Sequence, residues 1–381
     1  MALRCDQGFP DFYISKRNAS RKLWTLSGAD SVSMHRLAGS QQQQAYMYSA
    51  RRSDYDVTNT VRVSSAADVR DAVKELLEST WPGTPFSPVA RAFHDFELAF
   101  TGRMPGYFGV DTVYHDQQHT LDVTLAMARL MVGYERTHAG TAQALGAERA
   151  AIGIFLALFH DIGYLRERNE DAKNGAEFTR NHVTRSARFM DFYLPTIGFA
   201  HWTRITSEVV HFTGYEKTFE QIGAKVQDPR DIKLGHLLGT ADMIAQMADR
   251  CYLEKCRDRL YPEFVLGGVA LPVSAKGDRG VKYASGLDLL RQTPEFMEDT
   301  RRKRLDAAFN KAYKYMEPLY GGTNPYIESI ERSLGFLRQV LRSESWRMLR
   351  RSPQVFAAEP DSLTSVRGLM SNYFKRAWSR E

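Results

Sequence analysis

Apolar residues recur three and four positions apart through most of the chain, the spacing that gathers them on one face of a helix. The first clear run is Val69, Val73, Leu76 and Leu77, and Ser64 or Ser65 stands where an N-cap belongs. Trp81-Pro82-Gly83 breaks that run. The pattern predicts further helices over 89–100, from about His115 through Val132, and over 147–160, 176–194, 201–212 and 231–260. Two more fit 294–318 and 325–345, and a short amphipathic one fits 363–378. The stretch 267–286 reads as a loop or short hairpin. The expected fold class is all-α, a multi-helix bundle spanning 61–345. Residues 1–60, with the run Gln41-Gln42-Gln43-Gln44, are expected to be a poorly ordered or peripheral extension. Residues 346–381 are expected to be a basic C-terminal tail.

Composition narrows this picture modestly. The 381 residues carry a formal net charge of +6, which suits an anionic substrate but lacks the dense basic stripe of a dedicated nucleic-acid binder. Cys5, Cys251 and Cys256 form no CxxC pair, so neither a disulfide framework nor a zinc ribbon is indicated. No apolar stretch reaches the roughly 18 residues that span a bilayer, and the first residues do not read as a secretory signal. A cytoplasmic protein without membrane contact is the expectation.

The histidines and aspartates change the picture more. The apolar run from Ile152 to Phe159 ends on His160-Asp161. Burying an imidazole and a carboxylate there is costly unless something pairs with them, and a metal cation is one such partner. Upstream, His115 and His119 are four apart and Asp122 is three further on, which on a helix places all three on one face. His119, His160, Asp161, His182, His211 and Asp242 form an ordered series drawn from different expected helices. Six donors exceed what one tetrahedral ion needs. They suit two ions, with Asp161 free to bridge, and ions about 3.5–4 Å apart can clamp a phosphoryl group. His35, His94, His138, His201 and His236 are read as ordinary structural histidines.

At these residues a resemblance enters. Tyr114-His115-x-x-x-His119-x-x-Asp122-Val123 followed by Phe159-His160-Asp161-Ile162-Gly163 resembles the HD superfamily of metal-dependent phosphohydrolases over about 105–260. The first segment is similar to the opening catalytic helix of class I cyclic-nucleotide phosphodiesterases. His182, His211 and Asp242 are similar to the extended ligand set of dinuclear HD proteins. The chain departs from both patterns: no His-Pro-Gly follows His160-Asp161, Tyr164 stands where HD-GYP proteins have Lys, and Gly214-Tyr215 leads into Glu216.

The resemblance implies an HD-domain bundle with a central metal cleft and two divalent ions, the choice among Fe, Mn, Zn and Mg being open. His119, His160, Asp161 and Asp242 would hold one ion, and Asp161, His182 and His211 the second. A hydroxide bridging the ions would attack phosphorus, with His115 as general acid for the leaving alkoxide and Asp122 orienting a ligand histidine. Asp161 and His115 are thus the catalytic pair. Arg166, Arg168, Lys173, Arg185 and Lys217 are candidate phosphate contacts. The expected activity is hydrolysis of a phosphate ester, foremost a nucleotide phosphodiester of the cyclic-nucleotide type. Two other classes fit the same donor list: a di-iron oxygenase of the kind found among HD proteins, such as myo-inositol oxygenase, and a non-catalytic nucleotide-binding signalling domain.

Overall fold

The structure is a computed structural model, and it describes residues 52–270 and 281–378. The described residues carry thirteen α-helices and no strand; two isolated bridges, Tyr55 with Arg62 and Tyr107 with Glu167, are the β-type pairings among them. The expected extension at 1–60 lies outside the described residues up to 51, as does 271–280 of the expected loop. No helix among the described residues is long and apolar enough to cross a membrane.

The helices α1 (Ala66–Thr80) and α2 (Ser87–Phe100) lead to the central helix α3 (Gln117–His138), followed by α4 (Gly146–Phe159). Then come α5 (His182–Thr196), α6 (Thr203–Val209), α7 (Phe219–Gly223) and α8 (Pro229–Ala248). The chain continues through α9 (Tyr252–Lys255), a π-helical turn at Cys256–Leu260 and α10 (Tyr261–Leu266). After the undescribed segment come α11 (Gly286–Asp299), a second π-helical stretch at Thr300–Ala308, α12 (Pro325–Ser343) and α13 (Ser362–Trp378).

Every residue of α3 from Gln118 to Tyr134 is buried. A helix with no solvent face belongs at the centre of a bundle, and α3 is packed by α1, α4, α8 and the turn Ala312–Leu319. Gly133 permits the last of these contacts, since a Cβ there would lie 1.6 Å from the Tyr315 carbonyl oxygen. Its polar residues are answered individually: Arg129 donates to Asp56 at 2.8 Å and to the Tyr326 hydroxyl at 2.9 Å. Asp56 is fully buried, also accepts the N–H groups of Thr58, Thr60 and Val61, and has its pKa brought down to about 2, because Arg129 and these donors outweigh burial.

Three expectations about element boundaries are corrected. Residues 52–60 belong to the packed bundle rather than to a peripheral extension, because the turn around Asp56 pairs with α3. The expected 176–194 helix splits: an Asn174 capping box closes a 3₁₀ turn at Gly175–Phe178, and α5 starts afresh at His182. The expected 231–260 helix breaks at Asp249, whose carboxylate accepts the Cys251 N–H at 2.6 Å and pairs with Lys255. The expected tail holds the expected helix as α13 and packs on the rest: Leu349 and Val366 are buried, and the stretch 353–358 is hydrogen-bonded to the start of α3.

Candidate metal centre

The C-terminus of α4 delivers His160, and the next residue, Asp161, opens a 3₁₀ turn over Ile162–Tyr164. Asp161 is 4% exposed and His160 1%. The Nε2 atoms of His160 and His119 lie 3.3 and 3.4 Å from Asp161 Oδ2, and His182 Nε2 lies 3.6 Å from Oδ1. Asp242, from α8, places Oδ1 3.5 Å from His119 Nε2 and 4.0 Å from His160 Nε2. One donor atom each from His119, His160 and Asp242 lies within 4.8 Å of the others, so these three can hold a metal ion.

The ring nitrogens are committed by the backbone. His160 Nδ1 hydrogen-bonds to the Ala157 carbonyl at 2.8 Å and His182 Nδ1 to the Thr179 carbonyl at 2.9 Å. Nδ1 is therefore the protonated nitrogen of each neutral ring, and Nε2 carries a lone pair aimed at a carboxylate oxygen. Two acceptors facing each other require a cation between them, either protons or a metal. His160 Nε2 and Asp161 Oδ2 are both buried without a hydrogen-bond partner. Ligands bound about 2.1 Å from one ion lie roughly 3.0–3.4 Å from each other, close to the separations observed. The three donors His119, His160 and Asp242 could hold a metal ion, and Asp161 Oδ2 lies 3.3–3.4 Å from both histidines.

Without metal, protons take that role. Burial favours neutral His119, but the Asp161 and Asp242 carboxylates more than reverse this and raise it to about 10. His160 is raised on the same balance of burial against Asp161. Burial alone would raise Asp161, yet His160 and His119 hold it well below the usual carboxylate range. His182 goes the other way, lowered by burial against the pull of Asp161.

Neighbours fix these side chains in place. Gln246 Nε2 lies 3.4 Å from Asp242 Oδ1, and its Oε1 accepts the Tyr114 hydroxyl at 3.1 Å. Gly163 N–H donates to Ser186 Oγ at 2.9 Å. A Cβ on Gly163 would meet the His182 carbonyl oxygen at 1.9 Å, so the glycine after His160-Asp161 lets that turn close on α5. The start of α5 is capped from afar by Glu216, whose oxygens each accept one of the Val183 and Thr184 N–H groups at 2.9 Å.

His115 is not on α3. Asp116 is the N-cap, accepting the His119 N–H at 3.1 Å, so the helix begins at Gln117. His115 therefore reaches the site from the preceding loop. Its Nδ1 lies 2.6 Å from Glu263 Oε2, and Glu263 Oε1 accepts the N–H groups of Val113 and Tyr114. Glu263 is wholly buried on α10. Tyr164 is sandwiched between His115 and His182, with ring centroids 4.5 and 4.4 Å away. The sequence reading missed Glu263 and Tyr164 as site residues. Tyr164 had a signal, its place three residues after Asp161; Glu263, in Tyr-Pro-Glu-Phe far downstream, had none.

The other expected residues stand further off. His211 is buried, its Nδ1 has no hydrogen-bond partner, and burial with Lys217 lowers it to about 4; among the described residues it makes no ion pair with Asp161. Asp161 Oδ1 and His182 are thus what the expected second ion finds in place. Asp122 is buried and lines a narrow cleft, with room for little more than a water, together with Tyr114, Gln118, His119, Gln246 and Lys255. Of the expected phosphate contacts, Arg166 is engaged by Asp111 at 2.7 Å and Lys217 by Glu208 at 2.6 Å. Arg185 pairs with Glu170 and donates to the carbonyls of Gly163 and Leu165, bracing the turn that carries Asp161. Arg168 lies over the Phe108 ring, and Lys173 is exposed.

No protein-family model matches the chain, and neither does any curated protein or solved structure.

Proposed function

We propose that this chain is a metal-dependent phosphohydrolase of the HD type, acting on a phosphate ester and foremost on a nucleotide phosphodiester. One observation carries the reading: an imidazole held by a buried carboxylate, His115 on Glu263, stands beside a carboxylate ringed by three imidazole nitrogens. His119, His160, Asp161 and Asp242 would hold the ion. When bound, such an ion polarises a phosphoryl oxygen and acidifies water.

The remaining work falls to side chains. Hydrolysis forms a bond from a water oxygen to phosphorus and breaks the ester bond, leaving an alkoxide that needs a proton. Glu263 accepts from His115 Nδ1 and so fixes the ring, leaving Nε2 as the nitrogen that gives the proton. Stacking on Tyr164 limits rotation of that ring. An oxygenase has no leaving alkoxide to protonate, so the His115–Glu263 pair favours hydrolysis.

The test is a panel of cyclic nucleotides, cyclic dinucleotides, nucleoside mono- and triphosphates and a chromogenic phosphodiester, assayed with each candidate metal. His115→Ala should lower kcat by about 10²–10⁴-fold with metal content unchanged. Metal-loaded protein that turns over none of these esters would overturn the proposal, and oxygen consumption by an iron-loaded form would replace it with the oxygenase reading.

A further inference from the structure

The C-terminal stretch that the sequence marks as a tail meets the loop that carries His115, above all at Asp116. Asp116 is wholly buried, and its two carboxylate oxygens face different parts of the chain. Oδ1 accepts the His119 N–H and so starts α3. Oδ2 accepts the Phe356 N–H at 3.1 Å, and the Phe356 carbonyl in turn accepts the Gln117 N–H at 3.2 Å. Phe356 thus clamps the first turn of α3 from both sides, satisfying a helix-start N–H that α3 itself cannot. Two residues on, the Ala358 N–H donates to the Val110 carbonyl at 2.7 Å. The stretch therefore grips both ends of the loop 110–117 that carries His115.

Arg259 makes the same connection from the other side. It is 2% exposed and lies in the π-helical turn Cys256–Leu260, four residues before Glu263. Its Nη1 lies 3.5 Å from both Asp116 Oδ2 and the Val113 carbonyl oxygen, and its Nη2 donates to the Pro353 carbonyl. One guanidinium therefore spans the His115 loop, its N-capping carboxylate and the C-terminal stretch. π-Helical turns of this kind often mark functional positions. Beyond the stretch, α13 packs on α10, the helix that carries Glu263.

We propose that Arg259 and the segment 353–358 form the positioning device for His115, so that proton delivery to the leaving group requires the C-terminal segment to be seated on Asp116. Neither element touches the metal donors. Each acts through the loop that ends in His115, and Arg259 is a positioning residue. The inference rests on the reading of His115 as the proton donor.

The experiment uses the full chain, with Phe356→Pro, which removes the N–H given to Asp116 and leaves every charge in place, and Arg259→Met with Arg259→Lys as its conservative partner. Two phosphodiesters are compared, one losing an acidic nitrophenol and the other a simple alcohol. A displaced acid should slow the alcohol ester by about 10²-fold and the nitrophenyl ester far less, because a good leaving group needs no proton. Arg259→Lys should recover part of the loss. Metal content should stay at the wild-type level, and the downfield proton NMR signal of His115 Nδ1–H on Glu263 should be lost. Equal slowing of both esters, no slowing, or loss of metal would overturn the proposal. If Arg259→Met does not fold, Phe356→Pro decides. If the wild-type protein hydrolyses no phosphate ester, the hydrolase reading fails by itself, and the NMR signal decides the positioning claim: present in the wild type and kept in Phe356→Pro, it refutes that claim.

Discussion

Asp161 faces His119 and His160 with one oxygen and His182 with the other. The two edges of this carboxylate should therefore separate in a metal-binding experiment. Asp161→Ala is expected to lower metal content measured by elemental analysis more than His182→Ala does, because it removes the one group that faces all three imidazoles. His182→Ala should leave the ion on His119, His160 and Asp242 in place and remove at most a weaker one. Equal metal content in both variants and the wild type would sink the assignment. The protons of the empty donor set give a second test. His119 is held protonated up to about pH 10, so a metal must displace that proton to bind. Apparent affinity should climb with pH across the neutral range, by about tenfold per unit for each proton released. Calorimetry in buffers of different ionisation enthalpy counts the protons directly, and a count of zero would contradict the bridging-proton picture.

At the scale of elements, the site depends on where helices start and stop. Gly163 is the clearest case, because its missing Cβ is what lets the Asp161 turn approach the first residue of α5. Gly163→Ala should cost about 1–3 kcal/mol of stability through overpacking, seen as a lower urea midpoint. It should also weaken the His182 side of the site more than the His119 side. Helix starts also mark the limit of what the sequence disclosed. Apolar spacing placed α1, α2, α4 and α12 within a few residues of their ends, because each buries a periodic stripe. It put His115 on a helix and ran α8 on to residue 260, because periodicity records faces and not caps. Asp116 and Asp249 end those segments by side-chain hydrogen bonds that leave the apolar pattern intact. Glu216 does the same for α5 from outside its own segment. The buried cluster of His119, His160, Asp161 and Asp242 was legible because carboxylates and imidazoles in apolar helices are conspicuous. Glu263 was not, since one acidic residue 148 positions from its histidine carries no local sign.

Across the whole molecule, acid stability should report a histidine outside the site. His236 packs against Phe212 and Phe309, and its Nδ1 is buried without a hydrogen-bond partner. Burial, with Lys233 nearby, lowers it from 6.5 to about 4. Between those values the unfolded chain binds a proton that the native protein does not. Stability is therefore fully present above about pH 6.5 and falls as pH drops toward 4, by at most about 1.4 kcal/mol per unit. Urea midpoints at pH 7 and pH 5 should differ less in His236→Gln than in the wild type, and identical slopes would rule this out. The order in which the site's parts occur along the chain has a consequence for biosynthesis. The group that could hold an ion, His119, His160 and Asp242, is complete at residue 242, whereas Glu263 follows later and Phe356, at the clamp on Asp116, later still. During synthesis the growing chain owns the candidate metal donors before it owns the carboxylate and the backbone clamp that hold His115. If the proposed function holds, metal capture and catalytic competence are separate events in the life of the molecule, and a nascent chain halted between them would present the donors with His115 still unanchored.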